Sequence, residues 1–354
     1  MTARSPRTTW AKRLSRTMAR GVVRGSRTTP TLGWSGPEWL AHYLAASEVW
    51  KSVLGRYVDP VATFSGMGGR EDQIDGLLAR LTDETSLPFT RREFDQEPTL
   101  VGTLGARAGG PVGDSIALRP QGTRPPLFLI AGSGGVALQF AWIAHELGAE
   151  YPVIALQSRA AQQYRLPEYS LRAQARRLAD RVEQFAPDGE VVVGGHSMGG
   201  LVALRVAREL VRRGRPVRHL VILDTRPEGR LTRGRTDVPP TRHPLRIPRP
   251  IVLNLGAALV AGAVPLRRGR RYQSQWLLGQ IRRLFVAEIP PFSGRTHLLM
   301  TRHDPEHTER GWRVRGGDLE VIPVEGSHNS CLRPPHVAAL STHLRAILDN
   351  CSAK

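Results

Sequence analysis

The sequence predicts an α/β domain built on a parallel β-sheet and preceded by a small helical bundle. Three observations support this fold class. From Pro126 onward, uninterrupted apolar strands alternate with amphipathic helices, which is the pattern of a parallel sheet covered on both faces. Between Trp39 and Ala106, apolar residues recur at helical spacing instead. The length of 354 residues, 40% of them hydrophobic, fits one α/β domain of ordinary size and a smaller module.

The first part of the chain is basic and then helical. Residues 1–30 contain no acidic residue and predict a solvated, disordered tail. Residues 31–106 predict a bundle of three helices. These predicted helices lie near residues 39–54, 74–81 and 98–101. Residues 107–125 are rich in Gly, Pro and Arg and are typical of a linker.

Residues 126–354 carry the alternating strands and helices. The predicted strands are residues 127–130, 152–156, 191–193, 220–223, 297–300 and 319–324. The predicted helices are residues 138–147, 170–185, 198–211 and 335–348. Residues 226–295 interrupt the alternation, and an insertion at this place is typical of a lid over an active site. This insertion is rich in arginine, and we interpret it either as an apolar channel with an arginine-rich rim or as a solvated basic loop.

Composition limits the classes of partner and compartment. The net charge of +19 favours acidic or phosphorylated partners, but the sequence has no recognisable nucleic-acid-binding module, so nucleic acid is not an expected partner. Cys331 and Cys351 have neither metal-ligand spacing nor a disulfide framework, and we expect no metal site and a reducing, cytoplasmic location. The longest apolar run, residues 251–264, is too short for a transmembrane segment.

A strand-turn-helix junction carries the strongest chemical signal. An apolar strand runs directly into a helix through a G-x-S-x-G turn, with Ser197 at its centre. Such a turn exposes the serine hydroxyl, and the free N–H groups of the following helix can stabilise an oxyanion. We therefore predict Ser197 as a nucleophile and the N–H of Met198 as one oxyanion donor. The glycine-rich loop at residues 131–135 is expected to supply the second donor, which we assign to Ser133.

A serine nucleophile needs a base, and the base needs an acid that orients it. His328 follows the last predicted strand, where α/β hydrolases carry their base, whereas the side chain of His196 should point away from the attacking face. Two acids stand at strand ends, Asp224 and Asp304, and either one fits the third role. These features predict an α/β-hydrolase fold with a Ser-His-Asp triad.

The second part of the chain resembles the thioesterase domains of nonribosomal peptide and polyketide synthases. The similarity spans about residues 125–348 and is carried by a G-x-S-M-G-G-x-V-A run followed by a strand that ends in Leu-Asp-Thr. In chain-terminating members of that family the acid follows this strand, and the offset of 27 residues from Ser197 to Asp224 is similar to the family spacing. The resemblance thus implies Asp224 as the acid. Asp304 is second, because stand-alone editing members place their acid there.

The helical bundle resembles an acyl or peptidyl carrier domain. The resemblance is carried by residues 49–55, 64–69 and 97–101. In that family two glycines are followed by one residue and then by a serine that carries the phosphopantetheine arm. Here Gly68 and Gly69 are followed by Arg70 and Glu71, so Glu71 stands at the position of the serine. The resemblance implies a carrier-like domain without an arm, and hence no cofactor on this chain.

The two resemblances together imply a function. They indicate a serine thioesterase that releases an acyl, peptidyl or polyketide chain from a carrier-protein thioester by hydrolysis or transfer. Because Glu71 cannot hold the arm, the substrate is expected on the phosphopantetheine of a partner carrier protein. An editing thioesterase, an acyltransferase acting in trans and a non-catalytic docking protein are the alternatives.

Overall fold

A computed structural model describes residues 37–108, 114–133, 136–158, 170–225, 292–301, 309, 311–313 and 317–351. The chain splits into two compact units, residues 1–112 and 121–354, and the short segment between them is divided between the two. The predicted tail at residues 1–30, Asp304 and nearly all of the predicted lid lie outside the described residues. Among the described residues, no helix is both long and apolar enough to cross a lipid bilayer.

In its described residues the first unit has four α-helices: α1 (Pro37–Leu54), α2 (Ile74–Thr85), α3 (Arg91–Gln96) and α4 (Leu100–Ala108). Its core contains an aromatic cluster, in which the rings of Trp50, Phe64 and Phe94 contact one another with centroids 5.3 to 6.1 Å apart. Helix α3 was not among the predicted helices. It has only six residues and a single buried apolar side chain, Phe94, so it lacks apolar periodicity. Its start is nevertheless marked by a capping box between Thr90 and Glu93.

The described strands form a seven-stranded sheet of order β1-β3-β2-β4-β5-β6-β7, and β2 to β7 belong to the second unit. The strands are β1 (Ser115–Arg119), β2 (Leu127–Ile130), β3 (Val153–Leu156), β4 (Val192–His196), β5 (His219–Leu223), β6 (Arg295–Met300) and β7 (Leu319–Pro323). All described pairings among β2 to β7 are parallel. The α-helices among the described residues of this unit are α5 (Ala141–Leu147), α6 (Leu171–Phe185), α7 (Met198–Arg212) and α8 (Val337–Cys351). Helices α6 and α7 pack together, as do α5 and α8.

Strand β1 lies in the stretch that the sequence analysis interpreted as a linker. Its residues are all buried, and the aliphatic side chains of Ile116 and Leu118 are fully so. Because the residues on both sides of this short apolar run are rich in Gly and Pro, the average composition of the stretch is that of a linker. The interpretation of residues 107–125 as linker throughout is therefore corrected here: this stretch contains an edge strand.

The parallel sheet brings three polar residues that follow its strands to one edge. The carboxyl ends of adjacent parallel strands meet at the same edge of a sheet. Ser197 directly follows β4, Asp224 directly follows β5 and Thr301 directly follows β6, and these three strands are neighbours. Residues that are far apart in the sequence are thus brought to one edge.

Candidate active site

Ser197 occupies a strained turn between β4 and α7. Its backbone has φ 56° and ψ −127°, a conformation that L-residues rarely adopt. Its N–H donates a hydrogen bond to the carbonyl of Leu223, with a distance of 3.0 Å, which ties the turn to the end of β5. A side chain at Gly195 would collide with the backbone of Gly199, and one at Gly199 with the carbonyl of Ile130. The glycines on both sides of the serine are therefore required by close backbone approach.

Thr225 supports the same turn from the neighbouring strand end. It is fully buried, and its hydroxyl lies 2.8 Å from the carbonyl oxygen of Ser197 and 3.1 Å from that of Leu223. The indole N–H of Trp312 donates to the carbonyl of Thr225 over 2.9 Å. Sequence reasoning did not assign Thr225 a role, although it is the residue that follows Asp224 in the strand-end run.

Asp224 and His328 are in direct contact. The Nδ1 of His328 donates to Oδ2 of Asp224 over 2.6 Å, while Thr301 donates to Oδ1 from its backbone N–H and its hydroxyl over 3.1 and 2.7 Å. Burial alone would raise the pKa of Asp224, but the hydrogen bonds from His328 and Thr301 outweigh it and lower this pKa to about 2. An ionised acid therefore holds one side of the His328 ring. Thr301 was not identified from the sequence.

His196 contacts the backbone of His328, the predicted base. It is buried, and its Nε2–H donates to the backbone carbonyl of His328 over 2.7 Å, with ring centroids 4.5 Å apart. Desolvation, reinforced by the nearby His328, lowers the pKa of His196 to about 4, so its ring is neutral at pH 7. The thiol of Cys331 donates to the same carbonyl over 3.6 Å. These two donors anchor the loop that carries His328.

The structure brings the predicted residues together to different degrees. His328 and Asp224 are joined by a hydrogen bond, and Ser197 lies at the same sheet edge. Among the described residues, no hydrogen bond joins the hydroxyl of Ser197 to the ring of His328. Catalytic hydrogen bonds often tighten only when substrate is bound. Asp304, the second candidate for the acid, is not among the described residues.

The loop after β2 lies against the serine. A Cβ atom at Gly132 would lie 3.0 Å from the carbonyl oxygen of His196 and 3.1 Å from the Cβ of Ser197, so a larger residue here would force its neighbours to shift by a few tenths of an ångström. Ser133 follows in that loop, and its hydroxyl is buried without a hydrogen-bond partner in the described part of the chain. Met198 begins α7, and the N–H groups of a first helical turn have no partner within the helix. The roles of Ser133 and Met198 as oxyanion donors stay predictions.

Part of the chain matches a known protein family. Residues 125–245 match the family model of the thioesterase domain. The chain carries a thioesterase domain. It is similar to chondramide synthase of Chondromyces crocatus, with 39% identity over 115 residues that cover 32% of this chain and 3% of the relative. It is also similar to vanchrobactin synthetase of Vibrio anguillarum, with 24% identity over 265 residues that cover 73% of this chain and 9% of the relative. The chain thus spans a small part of the relatives that it matches.

Solved structures resemble the thioesterase domain in fold. The match to the Vlm2 thioesterase domain, bound with a dodecadepsipeptide, covers 67% of this chain and 99% of the Vlm2 chain. Its TM-score is 0.52, and the identity is 22%. The match to a four-domain nonribosomal peptide synthetase bound to AMP and glycine covers 94% of this chain and 27% of the synthetase chain. Its TM-score is 0.55, and the identity is 17%. The α/β-hydrolase fold that the sequence predicts is confirmed.

Glu71, in the helical unit, opens a short 3₁₀ turn (Glu71–Gln73) ahead of α2. Its carboxylate is exposed and contacts the guanidinium of Arg91, which also pairs with Asp95 over 2.9 Å. A carboxylate has no hydroxyl to which an arm could be attached. The carrier-like character of this unit, upstream of the thioesterase domain, stays a prediction.

Proposed function

We propose that the chain is a serine-dependent thioesterase that releases an acyl, peptidyl or polyketide chain from a carrier-protein thioester. The observation that carries this proposal is the His328–Asp224 hydrogen bond of 2.6 Å at the sheet edge where Ser197 occupies its strained turn. The thioesterase-domain match over residues 125–245 supports the same reaction class.

The proposed reaction begins with acyl transfer to the serine. The hydroxyl oxygen of Ser197 attacks the thioester carbonyl while Nε2 of His328 takes the hydroxyl proton. The C–S bond then breaks, and the thiol of the carrier arm leaves with that proton. Asp224 carries the negative charge that stabilises the imidazolium formed in between, and its low pKa keeps it ionised throughout.

The second half of the reaction returns the enzyme to its starting state. Water, or a hydroxyl or amine of an acceptor, gives a proton to His328 and attacks the ester carbonyl, and Ser197 regains its proton when the ester bond breaks. The backbone N–H of Met198 and a group of Ser133 are the proposed donors to the oxyanion in both halves. Hydrolysis and transfer differ only in this acceptor.

We further propose that the substrate arrives on another protein. Glu71 occupies the arm position of the carrier-like unit, so the chain has no phosphopantetheine site of its own there. The high net charge of +19 favours an acidic partner, such as an acyl or peptidyl carrier protein, by long-range attraction.

Labelling with a fluorophosphonate tests the nucleophile. We expect the wild-type chain to gain one label, as measured by intact mass, and Ser197→Ala to gain none. Ser65→Ala, which changes an exposed serine of the helical unit, should label like the wild type. Labelling of folded Ser197→Ala would contradict the assignment, and absence of any label on the wild type would favour the docking-protein alternative.

Product analysis tests the reaction. The purified chain is given an acylated carrier protein, and the released compounds are identified by mass spectrometry. Free acid as the product indicates hydrolysis, whereas an ester or amide indicates transfer. Acyl-carrier that is not consumed by a chain that labels at Ser197 would reject the carrier thioester as the substrate class.

A further inference from the structure

A second group of reactive side chains lies at the amino ends of the strands, on the opposite edge of the sheet from Ser197. His219 is the first residue of β5, Glu190 comes two residues before β4, and Cys351 is the last residue of α8. One ligand-type atom from each of the three lies within 4.8 Å of the others, and we call this group the amino-edge cluster. The length of β4 separates it from Ser197 by roughly 20 Å.

The ring of His219 is oriented by a hydrogen-bond chain. Its Nδ1 lies 2.9 Å from Nε2 of His297, and Nδ1 of His297 lies 2.9 Å from Oε2 of Glu320. A carboxylate only accepts, so Nδ1 of His297 carries a proton, and Nε2 of its neutral ring then accepts from Nδ1 of His219. The Nε2 of His219 is left with a lone pair. A metal-binding histidine usually donates its other ring N–H to a carboxylate, a carbonyl or water, and here His219 donates to His297, which Glu320 orients in turn.

The other two members of the cluster supply an acidic oxygen and a sulfur. The Oε1 atom of Glu190 is buried and has no hydrogen-bond partner among the described residues, which is unfavourable for a carboxylate. Cys351 is buried, and its thiol donates to the carbonyl of Ile347 over 3.2 Å, so the sulfur is held beside the cluster. The three groups together have the lone pairs of a ligand set.

We propose that Glu190, His219 and Cys351 bind a zinc ion. One thiolate sulfur, one imidazole nitrogen and one carboxylate oxygen are ligands of Zn²⁺, which accepts three protein ligands and a water molecule. The sulfur and nitrogen argue against Mg²⁺ and Ca²⁺, which select oxygen ligands. On binding, the thiol proton of Cys351 passes to solvent. This site revises the expectation of no metal, which rested on sequence spacing alone, because its ligands are far apart in the chain.

Two arginines oppose the ion. Arg218 and Arg295 both act electrostatically on His219, and Arg295 is paired with Glu320 over 3.2 Å. Their charges lower the affinity for a dication relative to the same ligands alone. A bound ion would link the end of α8 to the starts of β4 and β5, so its expected role is structural, and the proposal is independent of the thioesterase reaction.

Cobalt substitution tests the sulfur ligand directly. The untagged full-length chain is treated with a chelator, dialysed and titrated with Co²⁺, and we expect thiolate-to-cobalt charge-transfer absorption at one ion per chain. Zn²⁺ should abolish this absorption by displacement and raise the Tm by about 5 °C at saturation. Cys351→Ser should lose the absorption entirely, and Glu190→Gln and His219→Gln should weaken Zn²⁺ binding by more than the roughly 10- to 100-fold that loss of an outer-shell partner costs.

The remaining cysteine and an unrelated histidine serve as controls. Cys331→Ser and His343→Gln should retain the cobalt absorption of the wild type. Each variant is compared with its own metal-free Tm, so that a loss of folding is distinguished from a loss of binding. Absence of the absorption in the folded wild type, or its persistence in Cys351→Ser, would overturn the proposal, and the cluster would then be a hydrogen-bonded group only.

Discussion

Burial acts differently on the two titratable residues that contact the base. It disfavours the charged form of Asp224, but the donors from His328 and Thr301 outweigh this effect and bring its pKa to about 2. Burial also disfavours the charged form of His196. No hydrogen bond or nearby charge outweighs this effect, and the pKa of His196 falls to about 4. At neutral pH an ionised acid and a neutral donor therefore flank His328. The neutral ring of His196 supports the loop without placing a second positive charge beside the base.

The low pKa of His196 predicts a pH-dependent stability. Below pH 6.5 an unfolded histidine binds a proton that folded His196 does not bind until about pH 4, so the free energy of unfolding falls as the pH drops through this window. The full contribution is on the order of 3 kcal/mol. We expect His196→Phe to show a correspondingly smaller loss between pH 6.5 and 4 in urea unfolding. His343→Gln is the control and should keep the wild-type dependence. An unchanged pH dependence in His196→Phe would contradict the assignment.

The residues that sequence reasoning identified and those that it missed differ in kind. Ser197, Asp224 and His328 stand at strand ends, and apolar runs make strand ends visible in a sequence. Thr301 and Thr225 also follow strands, but a threonine there has no distinguishing chemistry until its partners are known. The contact from His196 to the carbonyl of His328 depends on two backbone segments that meet only in the folded chain. Three-dimensional contacts of this kind leave no spacing signal.

Strands and helices could be predicted where their burial leaves a clear pattern of apolar residues in the sequence. The apolar strands of the central sheet agree with the predicted ones to within three residues at each end, because burial on both faces makes them uninterrupted. Helix α6 begins after Ser170, whose hydroxyl accepts from the N–H of Ala173, as a cap residue should. The edge strand β1 and the six-residue helix α3 were missed because each is short and lies between turn-forming residues.

Asp114, the residue directly before β1, forms a buried ion pair with helix α6. Asp114 accepts hydrogen bonds from Arg177 and from Nε of Arg181, the latter over 2.8 Å, and both arginines belong to α6. The side chain of Asp114 is 4% exposed, whereas those of Arg177 and Arg181 are 11% and 30% exposed. The carboxylate is therefore the fully desolvated partner, and it joins the segment before the edge strand to a helix.

Neutralising this carboxylate should destabilise the second unit. Asp114→Asn leaves two arginines facing an amide, and we expect a loss of about 2 kcal/mol, below the usual cost of breaking a buried pair because the arginines can regain water. Urea unfolding at pH 7 measures the loss as a lower midpoint at constant slope. Asp188→Asn, at an exposed turn position, should stay within about 0.5 kcal/mol of the wild type. Equal midpoints for the two variants would show that the pair does not stabilise β1.

At the scale of the whole molecule, the chain combines two units with different chemistry. The thioesterase domain has a strained serine and a base–acid pair, whereas the helical unit has a carboxylate at the position that the carrier resemblance assigns to the arm. The side chain of Glu71 is 79% exposed and pairs with Arg91. An exposed ion pair contributes little to stability, so Glu71 can be replaced without loss of the fold.

This exposure allows the carrier resemblance to be tested by restoring the serine. With a broad-specificity phosphopantetheinyl transferase and coenzyme A, we expect Glu71→Ser to gain the mass of one phosphopantetheine and the wild type to gain none, since a carboxylate offers no hydroxyl. Glu71→Ala controls for loss of the Arg91 contact and should remain unmodified with the same Tm as Glu71→Ser. Arg91 keeps its pair with Asp95 in both variants, so α3 stays in place. A folded Glu71→Ser that is never modified would contradict the carrier interpretation, and the unit would then be an unrelated helical bundle.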